Sequence, residues 1–311
     1  MDRLNLLVST FYDYQQGREA FNNRLNRFPK EVRDMLEKET LFQNIGEHFN
    51  DLEKILNKAI AEDLKNDDMY NKILGRIVGL GAIMSGDIIA WTCRERDFTM
   101  GSTHPVLEHI KTLPYAKVTK IDKTQSRVIM PSVLENAKYP SDFYRYCGLT
   151  PNSRKIKGQQ ISYNPKIKTH FWKMMRQILM ARRSNYAIMY AKEKVHFLKK
   201  YTEEYDQKVA ELKKQFPKPK EFKKALKEAK LGSAKMKAHL TAVKRTARHL
   251  ALTIYLSYKY FNKQPAFLPY PIRILGHDME PPFVDGEDGK PEYLDFLVRY
   301  AKKWSVHEAG A

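Results

Sequence analysis

The sequence predicts a mainly α-helical protein: a helical arm joined to a helical domain that carries a helix-hairpin-helix and a small insertion of β character. Three observations carry this. Apolar residues recur at three- and four-residue steps through 4–64, the spacing of one helix face. Long helical stretches return over 165–201 and 233–261. β-favouring patches are confined to residues 92–140.

Leu4, Leu7, Phe11, Tyr14, Phe21 and Leu25 line one face of a first helix, which Pro29 interrupts. Val32, Met35, Leu36 and Phe42 continue the pattern. Ile45, Phe49, Leu52, Leu56, Ile60 and Leu64 then approach a heptad seam. Residues 1–68 are therefore read as a helical hairpin or coiled-coil arm, serving either core packing or a homodimer through the N-terminal helices. Residues 69–262 form the helical domain. Within it a helix is expected to end at Ile77-Val78, to turn at Gly79-Leu80-Gly81 and to restart at Ala82. Both glycines suit positive φ or close backbone approach, and the second helix would aim its N–H groups at a phosphate.

Residues 92–140 read as an insertion, with strand-like patches at 116–121 and 126–130 that suggest a small hairpin. Ser141 is the expected N-cap of the next helix. One continuous helix is expected from Pro165 to Tyr201. The Lys-rich excursion 202–231 is broken by Pro217 and Pro219, and a last helix covers about Ser233–Phe261. Residues 263–311 read as a Pro-rich tail with a turn at 285–289 and a short helix over 293–304.

Charge separates these parts. The chain has 55 basic and 36 acidic residues, a net +19. Residues 1–70 hold fourteen acids and ten bases, so all the excess positive charge lies beyond them. Between Pro151 and Lys192 there are ten Lys or Arg and no acid, and from Gly232 to Lys263 seven and none. Solvated helices ordinarily alternate sign, so two acid-free stretches call for an external polyanion. DNA is the first candidate and structured RNA the second.

The residues expected to contact it fall into four groups. Gly79 and Gly81 form the elbow, and Arg154, Lys155 and Lys157 lie on the loop after Pro151. Lys166, Lys168, Lys173, Arg176, Arg182 and Arg183 follow on the basic helix, and Lys235, Lys237, Lys244, Arg245 and Arg248 on the closing one. Tyr163, His170, Trp172 and Tyr186 interleave as base-stacking groups or as packing anchors.

Other chemistry is sparse. Two cysteines, Cys93 and Cys147, suit a reducing compartment and no disulfide framework. No apolar run reaches the length of a membrane span and no signal peptide is evident, so a cytoplasmic, nucleoid-associated protein is expected. His277, Asp278, Glu280, Asp285, Glu287 and Asp288 match no metal-ligand spacing, and Gly286 and Gly289 mark them as turn residues, so no metal is assigned.

Three segments carry a family resemblance: Arg76-Ile77-Val78-Gly79-Leu80-Gly81, Ser141 through Gly148-Leu149-Thr150-Pro151, and Ala234-Lys235-Met236-Lys237-Ala238-His239 with Arg248-His249-Leu250-Ala251. In this order they resemble the C-terminal transposase domain of the DEDD transposases of the insertion-sequence one-ten group, over residues 4–91 and 141–262. The Gly-Leu-x-Pro block is the most specific of them. The resemblance implies a DNA-handling helical domain and, in complete members, a preceding RuvC-like domain whose carboxylates hold divalent metal. Those carboxylates have no counterpart here. The family's serine nucleophile falls on Ile156, which cannot attack phosphorus; Ser153 and Ser162 are the nearest hydroxyls.

The expected function is nucleic-acid binding without an intact catalytic site and without a cofactor. The alternatives are a transposase or recombinase using Mg²⁺ and a partner's carboxylates, a structured-RNA binder, and a structural nucleoid protein.

Overall fold

The computed structural model describes residues 3–103, 107, 117–151, 153, 161, 163–228 and 233–308. It is mainly α, as the periodicity requires. Helix α1 (Arg3–Leu25), the short α2 (Lys30–Leu36) and α3 (Thr40–Leu64) form an antiparallel hairpin. Phe21 stacks on Phe42, Tyr14 meets Phe49 edge-on, and Arg18 pairs with Glu53 at 2.8 Å. The heptad-like seam of α3 thus faces α1 of the same chain. At the base of the hairpin Leu4, Val8, Ile60 and Leu64 are buried in the main core.

Next come α4 (Asp68–Lys72), capped by the Asp67 carboxylate, a 3-10 turn over Leu74–Arg76, and α5 (Ala82–Ile88), which runs into a π-helical turn over Ile89–Cys93. The expected first helix of the hairpin-helix unit is therefore a short helix plus a 3-10 turn. The insertion is a three-stranded antiparallel sheet, with β1 (Arg96–Gly101) and β2 (Lys117–Lys120) flanking β3 (Gln125–Met130). The β2–β3 hairpin matches the sequence reading. Strand β1, with Arg96 opposite Met130 and Gly101 opposite Gln125, was hidden by its charged residues and Gly101.

After α6 (Val133–Asn136) comes α7 (Pro140–Tyr146). Its cap is Tyr139 rather than Ser141. Pro140 takes the first helical position, and the Asp142 carboxylate accepts the Tyr139 N–H at 3.0 Å. The continuous helix expected over 165–201 is two helices, α8 (Pro165–Ala181) and α9 (Asn185–Gln215). Arg182 lies in the left-handed region at φ 55°, and the Ser184 hydroxyl accepts the Tyr186 N–H to start α9. The sequence signal for this break, Ser184-Asn185, was overlooked amid uninterrupted helix-compatible residues. Helix α9 then runs to Gln215, well past Tyr201, before α10 (Pro219–Glu228).

Helix α11 (Ala234–Phe261) is central. From Leu250 to Lys259 every residue is buried, so no face there can carry a carboxylate toward water. Part of the second acid-free window is thus a consequence of burial. Short α12 (Tyr270–Arg273), the β4 (Phe283–Asp285) and β5 (Pro291–Tyr293) hairpin, and α13 (Asp295–Glu308) close the chain. One hydrophobic cluster draws on residues from Leu4 to Ala301, so the core does not divide at 68 or at 262. No described helix is long and apolar enough to cross a membrane, and both cysteines are free.

Lys259, only 3% exposed, makes no ion pair among the described residues; its ammonium donates to the Glu135 carbonyl and to Gln264 Oε1, each at 3.1 Å, and the Glu135 charge only partly offsets its burial. Burial pulls its pKa down from 10.5 to about 8. Between those two values the unfolded chain holds a proton that the folded chain does not, so stability rises with pH through that window. Below it the charge is buried in full. Lys259→Met should be more stable by about 2 kcal/mol at neutral pH and should lose the rise. Urea titrations of both proteins from pH 7 to 10 check this; parallel profiles would refute it.

Candidate nucleic-acid interface

The Gly-Leu-x-Pro block is a helix stop. Gly148 sits at φ +66°, the Leu149 N–H reaches the Tyr144 carbonyl and the Gly148 N–H the Arg145 carbonyl, a Schellman closure of α7. Leu149 enters the core at 2% exposure. A Cβ at Gly148 would lie 2.7 Å from Lys168 Cδ, so the glycine also makes room for that side chain.

The loop that follows draws cations from both acid-free helices. Lys168 Nζ on α8 donates to the Ser153 carbonyl at 2.7 Å and lies over the Tyr163 ring. From α11, Lys244 Nζ donates to the Thr150 carbonyl at 3.3 Å and Arg248 Nε to the Leu149 carbonyl at 2.7 Å. A narrow crevice behind the loop is lined by Phe171, Trp172 and Met175 of α8 and by Val243 and Ala247 of α11. Burial lowers the pKa of the Arg248 guanidinium, with Arg245 adding to the pull.

The outer face of α8 carries Lys166, Lys173 and Arg176, spaced i, i+7 and i+10, all exposed. Lys166 lies over the Trp91 ring at 4.3 Å and Lys173 over the Tyr12 ring at 4.9 Å. Such contacts hold an ammonium in place without neutralising it. Arg182 and Arg183 extend the face at the end of α8, and Lys235 is exposed at the start of α11. None of these six has a carboxylate partner among the described residues.

Other expected contacts are engaged elsewhere. Lys237 pairs with Glu204 at 2.9 Å and Arg245 with Glu193 at 3.2 Å, so α9 supplies the acids that α11 lacks. The elbow is a packing turn. Gly79 is at φ +98°, but a Cβ there would meet Ile178 Cα at 2.9 Å, so the close approach is to the α8 backbone and not to a ligand. Gly81 is extended at φ −85°, with open space beside it. The elbow's Val78 N–H is taken by the Asp285 carboxylate.

Ser153 is 2% exposed, and its hydroxyl lies 2.6 Å from the Thr150 hydroxyl with no base bonded to it among the described residues. Arg154, Lys155, Lys157 and Ser162 lie outside the described residues. His170 and Tyr186 are buried anchors. Tyr163 and Trp172 are half-buried.

Two polar assemblies were missed from sequence. Asp285, read only as a turn residue, accepts from Val78 N, Ser184 Oγ, Asn185 N and Asn185 Nδ2. Asp87 of α5 is in ion-pair contact with His170 of α8, and the ring of Tyr12 of α1 packs against that imidazole with centroids 5.2 Å apart. Each joins segments far apart in sequence, so no local spacing announces it. The buried polar residue Asp87 within an apolar helical run was the available signal. No protein-family model, curated protein or solved structure matches the chain.

Proposed function

We propose that the chain binds nucleic acid, duplex or branched DNA before structured RNA, through the outer face of α8, without making or breaking bonds. The observation that supports this is the exposed row of Lys166, Lys173 and Arg176, continued by Arg182 and Arg183, with no carboxylate facing it among the described residues. Cations on such a face displace condensed counterions when they meet a phosphate backbone, and this drives binding whatever the base sequence. The kinship with the transposase C-terminal domain, self-association as a homodimer and a nucleoid location belong to the same proposal. With the α3 seam turned toward α1, a second copy would meet the exposed Phe28, Met35 and Leu41 at the tip of the arm.

If about six phosphates are engaged, log K for a duplex should fall against log salt with a slope of roughly −5. Fluorescence anisotropy of a labelled duplex over a salt series measures it, with hairpin RNA and single strands as competitors. A slope near −1 would rule the reading out.

A further inference from the structure

Resting on that reading, we propose that the corner between α8, α11 and loop 149–153 seats one phosphate of the nucleic-acid backbone, held by the Arg248 guanidinium with Lys168 beside it. Three cations from two helices meet here on the carbonyls of Leu149, Thr150 and Ser153. Carbonyl dipoles orient a cation without cancelling its charge, and neither Lys168 nor Arg248 has a carboxylate partner among the described residues. Lys168 and Arg248 therefore bring positive charge without an acid partner among the described residues to a place where part of each side chain is already out of water.

Arg248 has the geometry that phosphate recognition uses. Nε is fixed on the Leu149 carbonyl, while Nη1 and Nη2 have no partner among the described residues and stay open to solvent. One hydrogen bond thus anchors the guanidinium and leaves its two terminal nitrogens as donors for an anion. Lys168 is fixed in the same way, its stem against Gly148 and its ammonium on Ser153. A fork and a point charge held in advance lose little freedom on binding. The small, left-handed Gly148 belongs to this arrangement, since a side chain there would push Lys168 off the loop.

The test uses the full chain with two probes: a labelled DNA duplex, and inorganic phosphate set against chloride at equal ionic strength. Arg248→Gln should weaken duplex binding about tenfold or more and make the salt slope shallower by about one. Phosphate should raise the melting temperature of the wild type and not of Arg248→Gln. Lys168→Met, which keeps the stem over Gly148, should show the same pattern and serves if Arg248→Gln folds poorly by circular dichroism. A triple Lys166→Gln, Lys173→Gln, Arg176→Gln variant should lose duplex affinity yet keep the phosphate response. Wild-type duplex affinity in both Arg248→Gln and Lys168→Met would overturn the seat while leaving the α8 face intact. A wild type that binds neither duplex nor hairpin RNA would overturn the nucleic-acid reading and its polymeric occupant; a phosphate response still lost in Arg248→Gln would then assign the corner to a free phosphate.

Discussion

Asp285→Ala should lower the unfolding free energy by about 4 kcal/mol, one of the two largest effects expected in this chain. The carboxylate is 8% exposed and accepts four hydrogen bonds, from Val78 N at 2.7 Å, Ser184 Oγ at 2.9 Å, Asn185 N at 2.6 Å and Asn185 Nδ2 at 2.8 Å. Its charge sits at the N-terminus of the 31-residue α9, where unsatisfied amides favour an anion. Removing it strands donors from the elbow, from the α8–α9 break and from the cap of α9 at once. Asparagine keeps one acceptor oxygen and should lose about half as much. Asp288→Ala, on the exposed side of the same turn, should stay within roughly 0.5 kcal/mol of the wild type. Urea denaturation of the three variants decides; an Asp285→Ala loss near that of Asp288→Ala would show that water replaces the carboxylate.

That residue also marks what the sequence could and could not disclose. Helices whose apolar face repeats every three or four residues were legible from one end of the chain to the other: α1 and α11 lie within a residue or two of where the spacing puts them, and α3 ends where expected but starts at Thr40, five residues before the seam. So was the β2–β3 hairpin, because its β-favouring patches flank polar turn residues. The α8–α9 break was not. Arg182, Arg183 and Ser184 are acceptable inside a helix, and what ends α8 there is a carboxylate a hundred residues further on.

The site was half legible for a related reason. Positive charge is read directly from composition, but its partners are set by packing. Lys237 and Arg245 find Glu204 and Glu193 on α9, and the polar residues of loop 149–153 supply carbonyls rather than acids. An acid-free window therefore marks three different environments here: the buried half of α11, a cation corner on a loop, and the open face of α8. Only the last two leave charge for a polyanion.

His170→Leu should cost about 3–5 kcal/mol, and Asp87→Leu combined with it should recover most of that loss. Asp87 is fully buried and His170 is 4% exposed, in ion-pair contact where α5 meets α8. Tyr12 of α1 completes the group; burial first, and then Asp87, raises the pKa of its hydroxyl far above the ordinary tyrosine range. Removing the imidazole alone leaves a carboxylate without its partner in an apolar interior, whereas removing both partners leaves two leucines in the core that holds Leu4, Ile88 and Phe171. The double-mutant cycle isolates the coupling, and a His170→Leu loss below about 1 kcal/mol would mean that the imidazole does little to offset the burial of Asp87. The pair fastens α5 to α8 at a point that Lys166 and Lys173 flank one turn to either side of His170, yet both its residues are buried and out of reach of a phosphate. Folded His170→Leu should therefore bind the duplex with the wild-type salt slope. Lost stability with an unchanged slope would separate the buried pair that holds α8 in place from the exposed cations proposed to meet the polyanion.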